Sequence, residues 1–234
     1  ILEDYYMSLQ HGLPPSSAAT AKRLTAAAIS NYIKENTQIF YFFGFLINGV
    51  WYFLLQAYIK NAHVVHTIID DYIPFVPIFA IPYVIWYAYV VIPMIYLCFK
   101  DKKAFKKQCI ILFGGMYISL FIFTIFPTQI LSRPIISNGA NIFENIVGLI
   151  YSNDGLINAC PSLHCYESIV IHFSMFKSEK LANKKILRVC SFALVILICL
   201  STVFIKQHSV VDIVAAIALA VVMYFLVYGK KKVT

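Results

Sequence analysis

The chain has 234 residues, 60% of them hydrophobic and 13% charged, with a formal net charge of +8. Soluble domains carry about 45–50% apolar and about 25% charged residues, so this composition excludes an ordinary soluble domain and fits one compact membrane domain. The basic excess does not point to nucleic acid, because the lysines lie between apolar runs rather than on one soluble face.

In chain order, residues 1–37 are polar, with Pro14, Pro15, Ser16 and Ser17 ahead of an Ala-rich piece carrying Lys22 and Arg23. They lack the short apolar core of a cleavable signal peptide and are expected to form a cytoplasmic segment, either a short helix or a tether. A window of roughly 19 residues then finds apolar spans at 39–59, 78–99, 110–126, 189–205 and Val210–Tyr228. Residues 163–176 form a shorter apolar run, extended by Ser162 at its start and by Lys177 snorkelling at its end, and count as a further span. Pro82 and Pro93 fall inside the second span, where neighbouring helices can satisfy the freed carbonyls. None of these runs alternates as the strands of a membrane barrel do. The expected fold is therefore all-α, an integral membrane bundle of six transmembrane helices over 38–229, followed by a basic cytoplasmic tail at 230–234.

Basic residues set the expected orientation. Sixteen of the nineteen Lys and Arg fall in the N-terminal segment, the connection around Lys100–Lys107, the connection around Lys177–Arg188, and the C-terminal tail. The other connections hold only Lys60, Arg133 and Lys206. By the positive-inside rule both termini face the cytoplasm, which an even number of spans allows, and the expected location is the plasma membrane. The longest opposite-side connection, 127–161, contains the turn signals Arg133-Pro134, Asn138-Gly139 and Asp154-Gly155, and a short interfacial helix between Ile142 and Tyr151. Six cysteines show no C-x-x-C pair and sit mostly in apolar stretches, as small buried hydrophobes do.

Three pieces carry chemistry, all at the extracytoplasmic ends of expected spans: Ser132-Arg133-Pro134, Pro161-Ser162-Leu163-His164, and Lys206 through Asp212. His208 and Asp212 are four apart at a helix start and so share a face. A carboxylate bonded to one ring nitrogen fixes the tautomer and leaves the other nitrogen a lone pair, which makes an oriented base or nucleophile. Taken alone, Asp212 could equally be a helix cap and His208 an interfacial residue. Pro161 suits a first helical turn and Ser162 can cap it, so His164 lies beside free N–H groups that suit phosphate. His164 there can protonate a departing oxygen. Arg133 offers a planar fork for two phosphate oxygens, with Pro134 stiffening the turn.

Arg-Pro, then Pro-Ser-x-His, then Ser-x6-His-x3-Asp, in this order over residues 40–228, resembles the type 2 phosphatidic acid phosphatase superfamily. The resemblance implies a phosphohistidine on His208, oriented by Asp212, with His164 as general acid. Arg133, Ser162 and the helix start would cradle phosphate, Ser201 would open the third motif, and no metal or cofactor is implied. The expected partners are a lipid phosphate substrate and the bilayer, not nucleic acid. The chain departs from the family pattern at Phe126, where a lysine is usual, at Thr202, where an arginine is usual, and at Leu163, where glycine is common. Lys206 is the expected substitute cation. The Pro-Ser-Leu-His form is similar to the branch containing inositol-phosphoceramide synthases. That leaves hydrolysis and transfer to an alcohol acceptor both open, beside a non-enzymatic lipid-binding or transport role. Of the remaining polar residues, Asp70 and Asp71 are expected on a solvated turn, His63 and His66 form a weak zinc pattern, and Glu167 and His172 are expected to face the bundle interior.

Overall fold

The computed structural model describes residues 28, 31, 34–136 and 141–229. The expected polar segment 1–37, apart from residues 28, 31 and 34–37, lies outside the described residues, as do the Asn138-Gly139 turn and the basic tail 230–234. The chain divides into two compact units, Ile1–Phe40 and Tyr41–Thr234. Of the first, the described part leads into the 3-10 helix Thr37–Phe42.

The second unit is built from helices α1 (Phe43–Tyr58), α2 (Ile68–Tyr72), α3 (Ala80–Lys100), α4 (Lys102–Ile125), α5 (Ile142–Asn153), α6 (Leu163–Met175), α7 (Lys185–Phe204) and α8 (Val210–Tyr228). Among the described residues, five helical stretches are long and apolar enough to cross a membrane: Thr37–Tyr58, Pro77–Lys100, α4, α7 and α8. Their outward faces carry large apolar side chains such as Ile47, Ile92, Phe121 and Phe225, each more than half exposed, which is what a lipid-facing surface requires. The expected sixth span is α6, whose thirteen residues rise only about 20 Å against a hydrocarbon core of about 30 Å. A count of five rather than six meets the length criterion.

Short as it is, α6 is the hub. Nine of its thirteen residues are buried, and it packs against α3, α4, α7 and α8. Tyr166 passes so close to α4 that a Cβ on Gly115 would lie 2.0 Å from its hydroxyl, and that hydroxyl donates to the Ile111 carbonyl. Glycine at 115 is thus fixed by the close approach of an aromatic ring. The interior polar string continues through His172, whose Nδ1 lies 2.8 Å from Ser191 Oγ, while Tyr89 reaches the same hydroxyl at 2.7 Å. All six cysteines are free.

Side-chain caps start several of the helices. Asp101 accepts from Ala104 N–H at 3.0 Å, opening α4 immediately after α3 ends. The Asn141 side chain accepts from the N–H groups of Phe143 and Glu144, both at 3.0 Å, to open α5. Ser162 caps α6 and Ser209 caps α8, each satisfying one of the free N–H groups of a helix N-terminus.

At the end of the bundle where α6 and α8 begin, the connections are knitted together. The all-α expectation is amended here by a two-residue parallel ladder, β1 (His63–Val64) with β2 (Thr128–Gln129). Thr128 Oγ1 accepts from the N–H groups of Ala159 and Cys160 at 3.2 and 2.9 Å, which fixes the approach to Pro161. Asp70, expected in solvent, is buried. Its carboxylate accepts from Ser209 Oγ at 2.6 Å, Val210 N–H at 2.9 Å and Thr67 N–H at 2.7 Å. Burial pulls this carboxyl upward, but the Ser209, Val210 and Thr67 donors outweigh it and hold the pKa below the usual carboxylate range. Asp71 is the solvated one, paired with His66 at 2.9 Å.

Asp70 therefore clamps the connection between α1 and α3 onto the start of α8. Asp70→Ala leaves the Ser209 and Val210 donors without their acceptor, at a cost of about 1–3 kcal/mol. A clearly lowered unfolding midpoint of the purified protein in detergent is the expected result, and an unchanged midpoint would refute the clamp.

Candidate active site

The starts of α6 and α8 are joined by one backbone hydrogen bond, Ser162 N–H to the Asp212 carbonyl at 3.1 Å. This contact brings two residues 44 positions apart in sequence, His164 and His208, to a ring-centroid separation of 5.8 Å in an edge-to-face arrangement. Both rings line a cavity of about 700 Å³ that reaches from this end into the bundle.

His208 precedes α8 and is locked by its own helix. Its Nδ1 lies 3.0 Å from Asp212 Oδ2, and the same oxygen accepts from Ser209 N–H at 3.0 Å. Asp212 is fully buried. Burial alone would lower the His208 pKa, but the hydrogen bond and charge of Asp212 outweigh it, so the ring keeps its proton to a higher pH than an ordinary histidine. With Nδ1 committed to the carboxylate, the neutral ring carries its lone pair on Nε2. The cap and the orienter are compatible in Asp212: it closes the capping box of α8 with Ser209 and bonds His208 Nδ1 through the same oxygen.

His164, at the second position of α6, packs against the tilted rings of Tyr83 and Trp86, with centroid distances of 4.4 and 4.2 Å. Its Nε2 lies 3.9 Å from Asp154 Oδ2, too far for a direct hydrogen bond but close enough for charge to act. Asp154 sits at the C-terminal cap of α5. It accepts from Tyr52 OH and Tyr83 OH, each at 2.5 Å, and from Gln207 Nε2 at 3.4 Å. Burial pushes its pKa up, but the His164 ring and the two phenols prevail and hold it below the usual carboxylate range. In the sequence Asp154 reads only as part of an Asp-Gly turn. Its partners Tyr52 and Tyr83 lie 102 and 71 residues away, so no local pattern announces it.

Arg133 lines the same cavity. Its guanidinium stacks over the Tyr151 ring at 4.7 Å, and one terminal nitrogen donates to the Gly155 carbonyl at 2.6 Å. Burial lowers its pKa from the ordinary arginine value. Its Nε is buried with no acceptor among the described residues, so the fork retains donors for an anion.

Two of the expected phosphate ligands stand elsewhere. Lys206, in the left-handed region at φ 56°, closes the end of α7 and turns its ammonium away from the cavity. Nζ donates to the carbonyls of Asp70, at 2.8 Å, and Ile73, so the substitute-cation role has no geometric support. Ser162 is fully buried, with its hydroxyl accepting from Cys165 N–H at 3.4 Å. It shapes the helix start beside the cavity rather than lining it. At two of the three departures from the family pattern, Phe126 stacks on His63 at 4.3 Å, and the Thr202 carbonyl accepts from Gln207 N–H and His208 N–H at 2.9 and 3.0 Å. Cys160, just before α6, is pushed up to about 12 by burial and by the Asp212 carboxylate, and is an inert thiol. Among the described residues no group of three His, Cys, Asp or Glu side chains converges as metal ligands.

The arrangement offers an oriented imidazole, a second imidazole facing a carboxylate, a guanidinium with free donors, and a helix N-terminus, all around one cavity. No curated protein matches the chain, and no solved structure does. A family model for the PAP2 superfamily matches residues 55–226, which include Arg133, His164, His208 and Asp212. The chain belongs to the PAP2 superfamily, whose members are phosphatases and phosphotransferases.

Proposed function

We propose that the protein cleaves a lipid phosphate ester through a covalent phosphohistidine on His208. The observation that carries this reading is the fully buried Asp212 holding His208 Nδ1 at 3.0 Å while the ring borders the cavity opposite His164. The Nε2 lone pair attacks phosphorus in line. The P–N bond forms as the P–O bond to the lipid breaks, and His164 passes a proton to the departing alkoxide. Water then attacks the phosphohistidine, His164 takes the proton, and the P–N bond breaks to give inorganic phosphate. Asp154 supplies negative charge 3.9 Å from His164, where a proton-carrying imidazole needs it. Charge on the equatorial oxygens is met by the Arg133 fork and by free N–H groups at the start of α6.

In this reading the bundle spans the membrane six times, with α6 as the short, protein-enclosed crossing. The distribution of Lys and Arg supports cytoplasmic termini and an extracytoplasmic site. An alcohol in place of water in the second step makes the same machinery a phosphotransferase, and product analysis with added alcohols separates the two outcomes.

His208→Ala is expected to reduce phosphate release from a phosphatidate-type lipid by at least about 10³-fold with an unchanged unfolding midpoint. Retained turnover in that variant removes the nucleophile from the scheme. Attack needs neutral His208, whose pKa the Asp212 carboxylate raises. The acidic limb of the rate profile should therefore lie above the ordinary histidine value of about 6.5, and Asp212→Asn should move it to lower pH while reducing the maximum rate. An acidic limb unmoved by that substitution would show that another group titrates there. Asp154→Asn should lower kcat on an alkyl phosphate by up to about 10²-fold, the low end of a positioned acid's contribution. The loss should be much smaller on a nitrophenyl phosphate, whose leaving group needs no proton. Equal losses on both substrates would make Asp154 a purely structural residue.

A further inference from the structure

The cavity does not end at the imidazoles. It continues between α1, α3, α4 and α6, where Phe53, Val90 and Leu120 are among its apolar walls. Two polar side chains interrupt this apolar stretch. Glu167 is 2% exposed and lines the cavity. It has no hydrogen-bond or ion-pair partner among the described residues. Asn48, from α1, is 3% exposed and lines the same cavity. Its Nδ2 donates to the Gly44 carbonyl at 2.8 Å, while its Oδ1 has no partner among the described residues.

A carboxyl or amide oxygen withdrawn from water without a donor is costly, and an aliphatic side chain at either position would fill the same space without that cost. Neither group caps a helix, pairs with the other elements or holds a catalytic ring. The unmet atoms are acceptors. One Asn48 N–H is spent on the Gly44 carbonyl while Oδ1 stays open, and a glutamate offers acceptor oxygens whether or not it carries a proton. A donor from outside the protein, a water or a ligand hydroxyl, satisfies them, and a ligand hydroxyl does so while its apolar part fills the cavity.

Their depth fixes where that donor lies. Glu167 follows His164 by three residues, so the two share one face of α6, separated by about 4.5 Å along its axis. A phosphate ester cleaved at His208, with its leaving oxygen at His164, directs the next few atoms of the lipid backbone toward Glu167. We infer that Glu167 and Asn48 form a second, hydroxyl-binding subsite, and that the preferred substrate is a lipid phosphate with a free hydroxyl a few bonds from the scissile ester. A fully acylated glycerol backbone carries only carbonyl acceptors there and leaves both side chains unmet. This inference rests on the phosphohistidine reading and names the substrate class for it.

The test is a matched lipid pair: 1-oleoylglycerol 3-phosphate, with its free 2-hydroxyl, and the 2-deoxy analogue that differs by one oxygen. The purified protein should favour the hydroxyl lipid by about tenfold in kcat/KM, close to one hydrogen bond, with most of the difference in KM. Glu167→Leu should bring the ratio to within about twofold of one and raise the unfolding midpoint, since it removes an unpaired buried carboxyl. Asn48→Leu should also reduce the ratio, so misfolding of one variant leaves the test standing. A ratio near one in the unaltered protein, or an undiminished ratio in the folded variants, overturns the subsite. His208→Ala is the separate control. Loss of turnover on both lipids together with a flat ratio defeats the subsite alone, whereas retained turnover on both defeats the phosphohistidine reading itself.

Discussion

One carboxylate oxygen, Asp212 Oδ2, accepts both the cap hydrogen bond from Ser209 N–H and the bond from His208 Nδ1. A fully buried carboxylate in an apolar bundle is tenable only when such donors surround it. Here they are supplied by the first turn of α8, where free N–H groups and the positive end of the helix dipole favour negative charge. The interaction that starts the helix is therefore also the one that aims the imidazole. The Asp212 carbonyl also receives Ser162 N–H, so the start of α6, and with it His164, is registered against the same residue. Displacing α8 by a fraction of a turn would break the cap, the orientation of His208 and the spacing of the two rings together.

The clamp on the other side of α8 extends this constraint. Asp70 binds the Ser209 hydroxyl and Val210 N–H, while Lys206 binds the carbonyls of Asp70 and Ile73. A carboxylate and an ammonium thus exchange bonds with each other's backbone neighbourhoods and tie the connection ahead of α3 to the turn between α7 and α8. The cation at 206 follows from this. The chain turns at a left-handed residue to end α7, and its side chain leaves on the side away from the cavity. Sequence proximity to His208 places a positive charge nearby but does not say which way it points.

Legibility in the sequence followed the range of the interactions. The apolar run Val210–Tyr228 is the observed α8, residue for residue, because it is bounded by a serine cap and a glycine. α4 begins eight residues before its apolar run because the turn from Lys102 is amphipathic: Ala104, Phe105 and Gln108 are buried while the lysines face out. A hydropathy window averages that face away. α6 is the converse case, short and interrupted by Glu167, Ser168, His172 and Ser174, because it is enclosed by protein and carries the polar groups of the interior. In the site, the i to i+4 pair of His208 and Asp212 and the Pro-Ser-x-His helix start are local and could be read directly. Asp154 could not, since its place depends on hydroxyls from α1 and α3.

The charge balance of the cavity follows from these placements. Among the described residues its lining includes one guanidinium, Arg133, and no lysine, while Asp154 and Glu167 contribute carboxyls. A phosphate entering such a site meets fewer fixed cations than carboxyls and is retained only if the imidazoles and backbone N–H groups supply the remaining positive potential. Proton uptake and anion binding are then linked. An anion beside the two rings favours their protonated forms, and a protonated ring favours the anion by the same free energy. Asp154 places a negative charge 3.9 Å from His164, and Asp212 holds the proton of neutral His208 on Nδ1, leaving the lone pair on Nε2. The two carboxylates thus treat two otherwise similar histidines differently: Asp212 bonds the His208 ring directly, whereas Asp154 reaches His164 through charge across 3.9 Å.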